Sequence, residues 1–197
     1  MAKTSPYQSI LLRLSHGLAA LFTITAWGSG LWIYDNYDGR WGAIGLPKIS
    51  DIQNIHESIA GGFVILFSVL ALYSLRLGYR RLLQPNPWPN LKKVNQPIWW
   101  FTLHRGVNTL LLLAGVGAMI TGQMMKGRWL PSGELNHGWY LAHLLSWLGL
   151  FVALALHLLM AVKVGGVPLL LSMVRWQVRS GDNPRGWWQE LRKKDQV

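Results

Sequence analysis

Cysteine is absent from this 197-residue chain, and acidic residues are few, with 8 Asp and Glu against 19 Lys and Arg. Without cysteine there can be no disulfide, no thiolate-ligated iron–sulfur cluster and no covalent attachment of a c-type haem. A bound metal would therefore depend on histidine, carboxylate, methionine or backbone ligands. Charged residues make up only 14% of the chain and hydrophobic residues 51%, a balance that argues against an ordinary soluble domain.

The hydrophobic residues form four long blocks, each with the roughly 18–25 residues that a helix needs to cross a bilayer. The blocks are 10–34, 55–75, 106–125 and 138–162. The first has no small-residue cleavage site and continues past the usual length of a signal peptide, so it is predicted to remain in the protein. The sequence therefore predicts an all-α membrane protein built as a four-transmembrane-helix bundle.

Basic residues are distributed unevenly between the two sides of this predicted bundle. With the N-terminus placed in the cytoplasm, 15 of the 19 Lys and Arg fall on the inner side and 4 on the outer side. The outer four are Arg40, Lys48, Lys126 and Arg128. This bias predicts that both termini are cytoplasmic. Because topology and contact with anionic lipid explain the positive charge, no nucleic-acid partner is expected.

The chain after Lys163 is predicted to leave the membrane. The stretch VGGVPLLLSMVRWQV is too short and too soon charged to cross again, and it is expected to kink near 165–168 and lie at the interface as a helical segment. A basic tail follows. The predicted domains are a four-helix transmembrane domain at 1–165 and a cytoplasmic interfacial segment with the tail at 166–197.

All six histidines lie in or at the predicted spans; they are His16, His56, His104, His137, His143 and His157. An ionisable side chain is costly inside a bilayer, so each is a candidate functional residue. His16 and His157 both lie about six residues, or about 9 Å, inside the cytoplasmic boundary. His56 and His143 both lie in the first turns below the outer boundary. Depth alone thus gives an inner pair and an outer pair.

The fourth span contributes one histidine to each pair, and these two are 14 residues apart. Fourteen steps of about 100° leave both imidazoles on nearly the same face, about 21 Å apart along the helix. One helix could therefore give an axial ligand to each of two stacked cofactors. Bis-imidazole haem suits such a bundle, because a porphyrin is large and apolar. Zinc or copper is the alternative, but paired histidines without a carboxylate or thiolate make poor four-coordinate sites.

Small residues lie near these histidines in the sequence. They are Gly17, Gly61, Gly62 and Gly149. Glycine permits the close approach of a porphyrin face or of another helix, and the sequence leaves both readings open.

Three stretches carry a family resemblance, LLRLSHGLAALF, NIHESIAGG and AHLLSWLGLFVALALH. In their order and depth they resemble the prokaryotic cytochrome b561 family, which includes cytochrome b subunits of hydrogenases and formate dehydrogenases and a superoxide–quinone oxidoreductase. The resemblance covers residues 8–165. It implies two b-type haems, with His16 and His157 ligating the inner haem iron. The outer haem iron would take His56 and His143, and electrons would be exchanged with a quinone.

Four further residues are candidates for contact with a haem propionate or a quinone: Arg13, His104, Arg105 and His137. Arg13 precedes His16 by one turn, and Arg105 follows His104 at the inner end of the third span, where a guanidinium could pair with a propionate or a quinone headgroup. The alternative is a positive-inside anchor beside a hydrogen-bonded histidine. His137 is about 160° out of phase with His157 and is expected to be interfacial.

These features predict an integral membrane di-haem b-type cytochrome that carries electrons through the bilayer and exchanges them with quinone. Two alternatives stay open, a membrane-anchor subunit bound to dehydrogenase or hydrogenase partners, and a superoxide–quinone oxidoreductase, so the sequence does not decide whether the chain is itself an enzyme. The outer loop at 35–50 has two basic and two acidic residues and no evident attraction for an anion. A metal transporter would need more polar residues in the spans. The expected location is the bacterial inner (plasma) membrane, with the thylakoid membrane as the alternative.

Overall fold

The computed structural model describes residues 8–125, 135–175 and 182, and these form α-helices joined by loops and one short 3-10 turn. The helices are α1 (Ile10–Tyr37), α2 (Ile52–Arg76), α3 (Trp88–Leu91), α4 (Pro97–Met124) and α5 (Gly138–Val174), and the turn is Tyr79–Arg81. Helices α1, α2, α4 and α5 are each long and apolar enough to cross a membrane. The predicted four-helix membrane bundle is therefore confirmed.

The helices extend beyond the hydrophobic blocks that predicted them. Helix α4 begins at Pro97 rather than at 106, because proline suits the first turn of a helix, where its missing N–H is not needed. Helix α5 continues past 162 to Val174 and is interrupted at Gly166, whose φ of 66° is left-handed. The predicted kink at 165–168 is thus confirmed. The basic tail after Arg175, apart from Asp182, lies outside the described residues, and the domain boundary at 165 stays a prediction.

The four long helices form two hairpins. Helix α1 packs along α2 and α4 packs along α5, whereas contacts between the hairpins are fewer. Large apolar side chains such as Leu21, Ile65 and Leu113 are more than half exposed on the outer faces, as lipid contact requires. Interior positions are often small, for example Ala19 and Ala153. Buried serines and threonines donate to backbone carbonyls one turn back, which satisfies them without water.

The glycines near the histidines turn out to serve different purposes. A Cβ on Gly62 would collide with the ring of Phe22, so this glycine permits the contact between α1 and α2. A Cβ on Gly17 or Gly61 would meet nothing within 4 Å, and one on Gly149 would make only an ordinary contact. The helix-contact interpretation therefore holds for Gly62, whereas open space lies beside Gly17 and Gly61.

Candidate functional site

The structure brings the four histidines of matched depth together in the two predicted pairs. His16 on α1 lies beside His157 on α5, with ring centroids 6.1 Å apart. His56 on α2 lies beside His143 on α5, with ring centroids 6.4 Å apart. Each pair therefore joins α5 to a helix of the other hairpin.

These two separations fit imidazoles bound on opposite sides of one metal ion. A metal–imidazole bond is about 2.0 Å long, and each nitrogen of a five-membered ring with bonds of about 1.35 Å lies about 1.2 Å from the ring centroid. Two imidazoles on opposite sides of a metal thus have centroids about 6.4 Å apart. Two imidazoles per site would complete the coordination of a six-coordinate haem iron, because the porphyrin supplies the other four nitrogens. The residues therefore fit haem.

A cavity beside the outer pair is lined by residues of all four long helices. Besides His56 and His143, it is lined by residues such as Ala26, Gly61 and Ala118. Its lining is mainly apolar with a few polar groups, which is the surface that a large apolar ring requires. Within the described ranges, no group of three or more His, Asp or Glu side chains is arranged to hold a metal ion by itself.

Two glycines that the sequence did not single out make room for the outer pair. A Cβ on Gly30 of α1 would lie 3.5 Å from Cε1 of His56 and 3.3 Å from Nε1 of Trp147. A Cβ on Gly122 of α4 would lie 3.3 Å from Cε1 of His143. Because each glycine touches a histidine on a different helix, only the packed structure identifies it.

Three of the four paired histidines are also held by a side chain from a neighbouring helix through Nδ1. The distances are 2.8 Å from His56 to Ser29 Oγ, 3.0 Å from His143 to Thr121 Oγ1 and 2.9 Å from His157 to Asn108 Oδ1. Sequence reasoning missed these partners. The sequence did contain a signal for them, because each is a hydroxyl or amide inside an apolar span. A polar group there is costly without a partner, so each could be expected to contact another polar side chain.

The inner pair has additional polar neighbours. The ring of His104, on α4, lies 5.7 Å from that of His157, and its buried Nε2 has no hydrogen-bond partner among the described residues. Arg105 follows about 100° further around α4, so it projects from a different face of the helix. Arg81, in the turn after α2, lies close enough to interact electrostatically with His16. Sequence reasoning counted Arg81 only as a topology signal.

Arg13 and His137 make contacts at helix ends. Nη1 of Arg13 donates to the backbone carbonyl of Arg175, which ties the start of α1 to the end of α5. Nδ1 of His137 accepts from the N–H of Trp139 at 3.3 Å, and so it caps the start of α5. Both side chains thus have a structural role at these positions.

A hydrogen-bonded group of three residues, here called the outer cluster, lies at the outer end of the bundle: Asp38, Arg40 and Tyr140. The Tyr140 hydroxyl donates to Asp38 at 2.8 Å, and Nε of Arg40 donates to the same carboxylate at 2.8 Å. This hydrogen bond raises the pKa of Arg40. The cluster pairs a basic with an acidic group of the outer loop, beside a tyrosine that lines the cavity.

Comparison with known proteins identifies a family. The family described as prokaryotic cytochrome b561 matches residues 7–176, a range that includes both histidine pairs and all four membrane helices. Searches of curated proteins and of solved structures find no match.

Proposed function

The chain belongs to the prokaryotic cytochrome b561 family, which makes it a multi-pass membrane b-type cytochrome of electron transfer, and on that premise we propose that it holds two haems and exchanges their electrons with a quinone. One observation carries the proposal. Helix α5 presents His143 and His157, and each lies beside a histidine of α1 or α2 at the separation expected for two imidazoles on one metal. Haem iron supplies one-electron oxidation and reduction when bound.

The two histidine pairs lie at different depths along α5. The inner pair would hold one haem near the cytoplasmic boundary, and the outer pair would hold the other near the opposite boundary. The two histidines of α5 are about 21 Å apart along the helix, most of the thickness of the hydrocarbon core. Neutral imidazoles also bring no negative charge into the bilayer. Electrons would therefore cross the membrane along α5.

We assign the quinone contact to the inner side, at His104. Its buried Nε2 lacks a hydrogen-bond partner among the residues that the structure describes, and its ring lies beside His157. An imidazole N–H there could donate to a quinone carbonyl or to a haem propionate. Arg13 and His137 are weaker candidates, because both already hydrogen-bond at helix ends. Arg105 is a candidate to pair with a propionate, and Arg81, which donates through Nη2 to Oε1 of Gln8 at 2.9 Å, has further N–H donors for the same role.

Haem stoichiometry tests the two-haem proposal directly. A pyridine haemochrome spectrum of the purified protein should show about two b-type haems per chain, and a redox titration should need two one-electron components. A value of one haem per chain in protein produced with ample haem would contradict it.

Reduction of both haems by added quinol, and its loss in His104→Ala with both haems retained, would support the assigned quinone contact.

The orientation and partners need separate experiments. We propose that the chain lies in the bacterial inner membrane with both termini in the cytoplasm. Since the chain has no cysteine, Lys48→Cys and Lys92→Cys each introduce a single thiol at an exposed position. An impermeant maleimide should label residue 48 from the outside of intact cells and residue 92 only after lysis.

Purification from native membranes, alone or with dehydrogenase subunits, decides between a stand-alone cytochrome and a membrane-anchor subunit.

A further inference from the structure

Three side chains fix the protonation of three of the four paired histidines. Each hydrogen bond at Nδ1 could in principle run in either direction, because a neutral imidazole has one donor and one acceptor nitrogen. The direction matters: a ring that donates through Nδ1–H keeps the lone pair of Nε2 free for a metal. The bonds that the partner side chains make elsewhere favour one direction.

At the outer site both partners are hydroxyls, and each donates its single proton to a backbone carbonyl of its own helix. The Ser29 hydroxyl donates to the carbonyl of Ala26 at 3.1 Å. The Thr121 hydroxyl donates to the carbonyl of Gly117 at 2.7 Å. Each oxygen then presents a lone pair to the imidazole that it contacts. This arrangement favours a proton on Nδ1 of His56 and of His143.

At the inner site the partner is an amide, and its orientation is set by its other contact. Nδ2 of Asn108 donates to the carbonyl of Arg81 at 2.9 Å. Oδ1 of Asn108 is consequently the atom that faces His157, and an amide oxygen can only accept. His157 thus also carries its proton on Nδ1. Asn108 additionally links this histidine to the turn after α2.

We propose that Ser29, Thr121 and Asn108 are positioning residues that hold their histidines in the Nδ1–H tautomer and set the redox potentials of the two haems. This inference rests on the proposed function, since it takes the paired histidines as haem ligands. An acceptor on Nδ1–H raises the basicity of the ligating nitrogen. A more basic ligand stabilises ferric over ferrous iron, so each hydrogen bond lowers the potential of its own haem.

The test measures the midpoint potential of each haem in the purified holoprotein. Thr121→Val keeps the shape of the side chain and removes the acceptor, so the potential of the outer haem should rise and that of the inner haem should not change. Ser29→Ala should act in the same direction. We expect a rise of up to about 59 mV in the potential of the outer haem. For a one-electron couple, this corresponds to a fall of about tenfold in the preference for ferric over ferrous iron.

Two substitutions of Asn108 should shift the potential of the inner haem in opposite directions. Asn108→Leu removes the acceptor, and the potential of the inner haem should rise. Asn108→Asp loses the bond to Arg81 but gives His157 a stronger acceptor, so the potential should fall below that of the unaltered protein. A purely structural role would move both variants the same way, and that result would overturn the proposal for Asn108.

Two control variants keep the hydroxyl that contacts the histidine, and a third removes a hydroxyl that contacts no histidine. Thr121→Ser and Ser29→Thr retain the acceptor and should restore the original potentials. Thr25→Val removes an exposed hydroxyl of α1 that bonds only to its own helix, and should change neither potential. If His143→Ala removes a haem but Thr121→Val and Ser29→Ala move no potential, the inference fails and the proposed function stands. If His143→Ala keeps both haems, the ligand assignment itself fails.

Discussion

The outer and inner histidine pairs have the same side-chain chemistry in different surroundings. The outer pair lies beside a cavity lined by residues of all four long helices, and hydroxyls from α1 and α4 hold both imidazoles. The inner pair instead has a third histidine nearby and an amide that connects to the turn after α2. The outer site is thus built to hold a group in place. At the inner site, Nε2 of His104 is buried without a hydrogen-bond partner among the described residues, which suits contact with a second molecule.

Removing a ligand from α5 is the strongest way to separate the two sites. His143→Ala should lose the outer haem and His157→Ala the inner one, since neither site has another imidazole at the same depth on α5. Haem content should drop from about two per chain to about one, and each variant should lose a different component of the redox titration. Loss of a haem in His137→Ala but not in His143→Ala would show that the outer pair is wrongly assigned.

The three histidines at the inner site give a sharper comparison. His16 and His104 lie at similar distances from His157, with ring centroids at 6.1 and 5.7 Å. We expect His16→Ala to remove the inner haem and His104→Ala to keep it while slowing reduction by quinol. Haem content and the rate of haem reduction, measured on both variants, decide this. The reverse pattern would make His104 the ligand.

A methyl group added beside the outer pair should have a moderate effect. In Gly122→Ala the new Cβ would lie 3.3 Å from His143, which is tighter than most side-chain contacts, so the ring must shift. We expect a lower occupancy or an altered spectrum for the outer haem alone. Gly28→Ala is the matched control on α1, where a Cβ meets nothing within 4 Å and the residue does not line the cavity. Equal behaviour of the two variants would argue against a fitted outer site.

The outer cluster should contribute to stability but little to either haem. Tyr140→Phe removes the hydrogen bond to Asp38 and should lower the free energy of unfolding by about 0.5–1.5 kcal/mol. Thermal unfolding of the holoprotein in detergent measures this, with Tyr37→Phe as the control because Tyr37 is 42% exposed. Redox potentials that stayed unchanged would confine the cluster to a structural role.

Much of the fold and the histidine pairing could be predicted from the sequence, because helix rise and bilayer thickness are constants. Depth along a helix follows from counting residues, and it correctly grouped His16 with His157. The family resemblance is confirmed by the matched range 7–176. Helix ends were less predictable: the turns at 97–105 are helical but too polar for a hydropathy window.

The supporting residues could not be predicted, because they depend on how the helices are rotated about their axes. Thr121 reaches His143 only because α4 turns that face toward α5, and no spacing within either helix reveals it. The same holds for Gly122 and for Asn108. For Gly62 the sequence left a cofactor and a helix contact both open, and the packed structure decides for the helix contact, because the ring of Phe22 fills the space.

The sparse contact between the two hairpins has a consequence for how the protein assembles. Each proposed haem would bridge α5 and a helix of the other hairpin, so cofactor loading would act as a cross-link between two halves that can enter the membrane one after the other. We expect two fragments divided between residues 86 and 90, produced together, to copurify when haem is supplied and to separate when haem synthesis is blocked. Haem binding would then complete the assembly of the helix bundle as well as supply its redox centre.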